Sequence, residues 1–386
     1  MKTLKCLLVF FMLIALCSCS DNNGDKKAII IGGSGPLNGG AAQYGIAVRN
    51  GAQLAIDEIN ALNGLQFRLD FQDDSHDPEK AVNCYGVLKD DGMQISIGTV
   101  TSDPGAAVSP LYYEDHIFAI TPSGSSFAVI RRDLNDETSY FGNVMQMCFT
   151  DPSQGTLSAQ YIDENKLANR IAIIYKSDEA YSVGVYDKFL AEARSRNLNI
   201  VSVSSFDSSS ASNFSVAINE ARDAQADLVF LPIYFEPASL ILQQSNSIGY
   251  NPIFFGVDGV DGILNIENFD KSLAEGVYLL TPFSADSTDE LTHNFVKNYQ
   301  DRYNSIPMQF AADGYDTIYA IYQACVNGNV TYDMSAQEIC DIMVQQFTSM
   351  SFVGTTGAAT WSKSGEVSKS PKAVIIKDGK YVSADN

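Results

Sequence analysis

Ala28-Ile29-Ile30-Ile31-Gly32-Gly33, with the helical pattern that follows at Ala41–Leu62, is where the fold becomes readable. The first run is wholly apolar and ends in glycines, as a strand buried on both faces of a parallel sheet does. In the second, Ile46, Ala52, Ala55, Ile56, Ile59 and Leu62 recur at near-helical intervals, which predicts a helix lying on that sheet. Strand, glycine turn and amphipathic helix together are the repeating unit of an α/β architecture.

Forward from there the alternation persists. Gln66–Gln72 is predicted as a strand with Phe67, Leu69 and Phe71 on one side, Pro78–Asp91 as a helix, Gln94–Gly98 as a strand, Ser102–Asp115 as a helix and Ile117–Ile120 as a strand. The rhythm restarts at Asp151-Pro152, read as a helix cap followed by proline at the first helical position. Arg170–Tyr175, Asn199–Phe206, Asp227–Pro232 and Pro252–Gly256 then alternate as strands with helical patterns. Asp286–Tyr303, Met308–Val326 and Ser335–Phe347 read as helices with no strands between them. The short strands Ala358–Trp361, Ala373–Lys377 and Lys380–Val382 are too small for a core of their own. About 360 residues exceed what one core usually organises, so two lobes are expected. Residues 28–149 and 283–350 are assigned to lobe 1, and 150–282 and 351–386 to lobe 2, each a mainly parallel sheet flanked by helices, with several crossings between them.

Backward from Ala28 the chain reads as a targeting segment. Lys2 and Lys5 precede an apolar run, Cys6–Leu16, too short to span a bilayer. Leu16-Cys17-Ser18-Cys19 resembles the bacterial lipobox, in which the leader is cut and the cysteine takes lipid. Residues 1–18 are therefore expected to be a signal peptide and 19–27 a lipidated tether anchored through Cys19; the alternative is an ordinary cleaved signal. Either way the chain is exported, with periplasm and outer face of a single membrane both open.

The formal charge is −21, and −23 once Lys2 and Lys5 leave with the leader. So acidic a surface argues against nucleic acid and against broad docking on anionic lipid. Cys84, Cys148, Cys325 and Cys340 show no metal spacing and are expected to be free, with Cys325–Cys340 the only near pair. His76, His116 and His293 form no ligand motif, so no metal site is expected. Gly33-x-Gly35 is followed by Asn38 where a dinucleotide fingerprint needs a third glycine, so no nucleotide cofactor is expected. No phosphate loop or nucleophile elbow is present, nor the alternating oxygen ligands of a calcium loop at Asp258 and Asp261. The expectation is a monomeric binding protein and not an enzyme.

What remains is a set of hydroxyls, aromatics and one acid at predicted strand ends, where open α/β sheets gather ligands. Ser102 opens a helix, and Ser123 and Ser125 follow the next strand; such hydroxyls beside free helix N–H groups suit a carboxylate. The plainer alternative is that each serine caps its own helix. Tyr181, Tyr234 and Asp258 follow strands of the second half. Asp258 suits an ammonium group, or is simply a turn aspartate in Asp258-Gly259.

Taken together, Ile31-Gly-Gly-Ser-Gly-Pro36, Tyr44-Gly45, Asn50-Gly-Ala-Gln-Leu-Ala55, Asp57-Glu-Ile-Asn60, Asp73-Asp74-x-x-Asp77-Pro78, Ile120-Thr-Pro-Ser123 and Gly357-x-x-x-Trp361 resemble the branched-chain amino-acid-binding proteins of bacterial ABC importers, a type I periplasmic-binding fold. The resemblance implies that Ser102 and Ser125 take a ligand carboxylate and that the Ser123 carbonyl meets its ammonium. It implies that Asp258 is the acid of lobe 2, that Tyr44, Tyr181 and Tyr234 flank the ligand, and that Val100 and Phe310 line its side-chain pocket. The chain departs from the leucine/isoleucine/valine-binding members in having His76 and Thr101 where they carry a disulfide, and an aspartate where they carry a glutamate; Glu236 is a competing acid. The function implied is capture of an amino acid, branched-chain or otherwise aliphatic, for delivery to a membrane ABC permease. A sensor role, or an amide, urea or aromatic acid as ligand, are the alternatives.

Overall fold

A computed structural model describes residues 27–384; the expected leader, Cys19 and the tether as far as Lys26 lie outside them. The first lobe runs β1 (Ile29–Gly35), α1 (Ala42–Ala61), β2 (Phe67–Asp73), α2 (Pro78–Asp90), β3 (Ile95–Thr99), α3 (Ser102–Glu114), β4 (Ala119–Thr121) and β5 (Val144–Gln146). Its strands pair in the order β2-β1-β3-β4-β5, all parallel. Central β1 and β3 are buried almost throughout, which is why their sequences are apolar rather than alternating.

The second lobe follows as α4 (Asp151–Glu164), β6 (Ile171–Lys176), α5 (Ala180–Ser195), β7 (Ile200–Phe206), α6 (Ser215–Asp223), β8 (Leu228–Leu231), α7 (Phe235–Ser247), β9 (Ile253–Gly256) and β10 (Tyr278–Thr281). Three helices come next, α8 (Glu290–Tyr303), α9 (Gln309–Asn327) and α10 (Ala336–Phe347), then β11 (Ser351–Gly354), β12 (Gly357–Trp361), β13 (Val367–Ser368), β14 (Lys372–Lys377) and β15 (Lys380–Ser383). The large sheet has the order β15-β14-β10-β9-β8-β6-β7, parallel from β7 to β10 and closed by two antiparallel strands.

The expectation for residues 351–386 is met only in part. β14 and β15 extend the lobe 2 sheet, but β11, β12 and β13 form a separate small sheet. That sheet sits on lobe 1: Trp361 Nε1 donates to the Gln146 carbonyl (2.7 Å), and its ring meets Phe347, which packs on Phe118. The chain therefore passes between lobes after β5, after β10 and after β13. Asp151 is also not the cap expected. Thr150 holds the N-cap position, and Asp151 is the first residue of α4.

Local sequence explains why the lobe 1 loops are firm. Asp77 caps α2 by accepting from the Lys80 amide (2.9 Å), with Pro78 at the first helical position. Asp73 accepts from the amides of Leu37 and Ser75, and buried Asp74 accepts from the Ser34 hydroxyl (2.8 Å), so the loop after β1 is tied to β2. α1 packs on α9 with backbones almost touching. A Cβ on Gly51 would stand 1.9 Å from the Ala311 carbonyl oxygen, and one on Gly314 2.4 Å from that of Val48. Only glycine allows that approach, and through it the pocket end of α9 is fixed relative to Tyr44.

The four cysteines within the described residues are free, Cys325 and Cys340 included. No helix there is long and apolar enough to cross a membrane.

Candidate functional site

The carboxyl ends of the central strands of the two lobes face each other, and most of the candidate residues meet there. Tyr44, Val100, Ser123, Ser125, Tyr181, Tyr234, Asp258 and Phe310 line one small interlobe space, together with Thr101 and Gly259. Ser102 stands just behind this lining, its hydroxyl oxygen accepting from the Ser126 amide (3.2 Å). Larger grooves flank Ile306 and Met308. They open broadly to solvent and receive neither strand ends of lobe 1 nor the buried acids, so the small interlobe space is the better-built site.

Lobe 1 supplies hydroxyls and a helix end. Thr101 occupies the N-cap position of α3 without capping it, because its hydroxyl is turned to His76. The first turn of α3 thus presents uncapped N–H groups, which favour negative charge. The Ser123 hydroxyl donates to the Val100 carbonyl (2.6 Å), tying the loop after β4 to that after β3.

Lobe 2 supplies acids. Asp258 is almost wholly buried; the Tyr181 hydroxyl donates to one of its oxygens and the Gln154 amide to the other, each at 2.7 Å. The Gly259 amide in turn donates to the Tyr181 hydroxyl (2.9 Å), an approach that leaves no room for a Cβ on Gly259. Burial pushes the Asp258 carboxyl up to about 7; the Tyr181 hydrogen bond opposes the rise and the Asp313 carboxyl adds to it. Asp151 is buried beside Ser125, whose carbonyl accepts its amide (3.1 Å), yet neither carboxyl oxygen of Asp151 has a hydrogen-bond partner. Burial holds this carboxyl well above the usual range, against the nearby Ser125 hydroxyl, while Asp258 and Glu179 raise it further.

Tyr44 joins the walls. From lobe 1 its hydroxyl donates to the Gly259 carbonyl and accepts from the Phe235 amide (3.2 Å), both in lobe 2. Its ring lies 5.1 Å from Tyr234 and 4.5 Å from Phe310, and Tyr234 stacks on Tyr181. Glu236 is exposed, its carboxylate lying against Gly40 at the cleft edge and outside the cavity lining. Among the described residues no cluster of three or more His, Cys, Asp or Glu is arranged to hold a metal ion.

Hydroxyls and a helix N-terminus on one wall, buried carboxyls on the other and aromatic rings between form a receptacle for a small dipolar molecule. Residues 28–365 match the periplasmic binding protein family. The chain belongs to that family. It is 28% identical over 263 residues to the Leu/Ile/Val-binding protein BraC3 of Rhizobium johnstonii, covering 67% of each. The leucine binding protein of Thermotoga maritima superposes with a TM-score of 0.81 at 23% identity, over 92% of this chain and 97% of that one. The branched-chain amino acid transporter substrate binding protein of Streptococcus pneumoniae, solved with isoleucine, gives 0.80 at 23%, over 92% and 98%. Family membership places this periplasmic binding protein outside the cytoplasm.

Sequence reasoning missed Asp151 and Gln154, which lie behind the cavity lining against Ser125 and Asp258. The signal was present: an acid and an amide three apart, at the start of the helix that follows the first lobe crossing, share one face of that helix. Reading Asp151 as a cap absorbed it into a local role.

Proposed function

We propose that this chain captures an amino acid with an aliphatic side chain between its two lobes and hands it to a membrane ABC permease, binding without turnover. The observation that carries the reading is Asp258, a buried carboxyl that lines the same small interlobe space as Ser123 and Ser125. The ligand carboxylate lies at the first turn of α3 with Ser102 and Ser125. The ammonium meets the Ser123 carbonyl, Asp258 and Asp151, and the side chain runs among Tyr44, Val100, Tyr234 and Phe310. Names of relatives support the ligand class: the Rhizobium protein is a Leu/Ile/Val-binding protein, and the Streptococcus one was solved with isoleucine.

Thermal denaturation in the presence of each of the twenty amino acids tests this. Stabilisation by leucine, isoleucine or valine, with calorimetric 1:1 binding, is expected; stabilisation by benzoate or urea and by no amino acid would refute it. Cys19 is proposed as the lipid anchor, and a Cys19→Ser variant should lose incorporation of labelled palmitate and leave the membrane fraction.

A further inference from the structure

His76 stands in the loop after β2 with a left-handed backbone (φ 60°), its amide donating to Asp74 Oδ1 (2.9 Å). Its ring is oriented by Thr101, whose Oγ1 lies 2.9 Å from Nδ1. The other nitrogen, Nε2, points out of lobe 1 and stands 3.7 Å from Glu179 Oε1 in lobe 2. Glu179 is buried to 2% exposure; Oε1 also lies 3.2 Å from Lys176 Nζ, while Oε2 has no partner. The Tyr234 ring, part of the ligand cavity, is 5.8 Å from the imidazole. One residue beyond Glu179, the Ala180 amide crosses the cleft to donate to Asp103 Oδ1 (3.2 Å).

We propose that His76 and Glu179 are a clasp across the cleft mouth, drawing the lobes together while the imidazole is protonated and loosening as it loses its proton. The idea rests on the reading of the cleft as a closing ligand site and adds to it a dependence of closure on proton concentration. The contact joins the two lobes, so it is made in the closed arrangement and contributes to closure differentially. Histidine is the side chain whose charge changes between pH 5 and 8. The charged and titratable groups around this one are Asp74 from its own loop, Asp103 from α3, and Glu179, Lys176 and Tyr234 from lobe 2. An imidazolium therefore enters a setting of three carboxyls and one ammonium. With both nitrogens protonated, Nδ1–H donates to Thr101 Oγ1 and Nε2–H faces Glu179; in the neutral ring the Thr101 hydroxyl can donate to Nδ1 while Nε2–H still faces Glu179, so losing the proton removes the charge attraction and not the contacts. At 3.7 Å the contact with Glu179 is an ion pair rather than a hydrogen bond, which limits its strength.

The test needs no ligand for its first half. Hydrogen exchange at the Ala180 amide, which bonds across the cleft, reports how often the lobes part. At pH 5.5 the His76→Gln chain should exchange about threefold to fivefold faster there than wild type, the range of a partly exposed ion pair, and Glu179→Gln should do the same. At pH 8 wild type and His76→Gln should exchange alike. In the second half, calorimetric titration with L-leucine should show the same ratio in affinity at pH 5.5 and none at pH 8. Equal Ala180 exchange in wild type and His76→Gln at pH 5.5, with both chains folded by circular dichroism, overturns the clasp whatever L-leucine does. A clasp effect on exchange in a chain that binds no amino acid upholds this proposal and overturns the ligand reading instead.

Discussion

Replacing Asp258 by asparagine separates what this residue does for the fold from what it does for a ligand. Asparagine keeps the size of the side chain, and its amide still meets Gln154 and Tyr181, whose hydroxyl can accept as well as donate. What disappears is the charge. The Asp258 carboxyl ionises near 7 in the folded chain against an ordinary 3.8. Because the folded value is raised, the folded state holds this proton more tightly than the unfolded one. Its contribution to stability is present below about pH 4, is lost as pH rises, and is fully gone above about pH 7. At about 1.4 kcal/mol for each pH unit of that interval, ionising Asp258 in the empty closed cleft costs about 4 kcal/mol. Asp258→Asn should therefore melt higher than wild type at pH 8, with the gap closing towards pH 4. Binding should move the other way. Removing one partner of a buried ion pair costs about 3–5 kcal/mol, so affinity for L-leucine should fall by more than about a hundredfold. Differential scanning calorimetry across pH and isothermal titration on the same preparation measure both. Near-native affinity in Asp258→Asn, or a lower melting temperature than wild type at pH 8, would refute the placing of the ammonium here.

Three further substitutions probe neighbouring parts of the site. Asp151→Asn, which removes a buried carboxyl with no hydrogen-bond partner, should raise thermal stability at pH 8 yet weaken amino-acid binding by about tenfold or more; unchanged affinity in calorimetry would take Asp151 out of the site. Tyr44→Phe deletes two bonds across the cleft, each worth about 1 kcal/mol, and should quicken ligand release in stopped-flow fluorescence by about tenfold or more while leaving association nearly unchanged. Lys369→Met breaks the fully buried pair with Asp313 (3.0 Å), a loss of about 3–5 kcal/mol that should appear as a large drop in melting temperature, recovered in good part by adding Asp313→Leu.

The lobe architecture was legible because its signal is redundant. Ile29–Ile31 is apolar for the same reason that β6 and β8 are, burial between two layers of helix, and each helix repeats its apolar face over several turns. What escaped were short elements with no room for a pattern. β10, at Tyr278–Thr281, and β5, at Val144–Gln146, are four and three residues long, too few to show a period. The small sheet of β11 to β13 was placed on the wrong lobe because its location is set by Trp361 reaching Gln146 and Phe347, contacts that no local pattern encodes. The site divides along the same line. Ser123, Ser125, Tyr181, Tyr234 and Asp258 follow strands, so an open α/β sheet brings their loops to one end, whereas Tyr44 and Phe310 sit near helix starts and needed the family pattern to be found. In sequence Asp258 is the preferred acid and Glu236 a nearby competitor; burial separates them, since of the two only Asp258 lies where a charge is costly enough to be selective.

That costliness is also what makes ligand and closure one event. In the closed cleft Asp151 has no partner on either oxygen and Glu179 and Asp313 each lack one, while the neighbouring cations, Lys176 and Lys369, are already paired with Glu179 and Asp313. Buried carboxyls left so are unfavourable by several kcal/mol together, and on the proposed placing a ligand ammonium would relieve the two nearest it, Asp258 and Asp151. Turning a cleft from mostly open to mostly closed needs about 5.5 kcal/mol of differential affinity. The cost of about 4 kcal/mol for ionising Asp258 with no cation opposite it is of that order, and an ammonium placed there as proposed would remove it. A carboxylic acid of the same shape lacking the amine would reach the serines and the α3 terminus but leave the acids of lobe 2 unmatched. On the proposed placing of the ligand, discrimination for the amino group would therefore reside in the closing of the lobes, and the apolar walls formed by Val100 and Phe310 would be left to sort side chains by size alone.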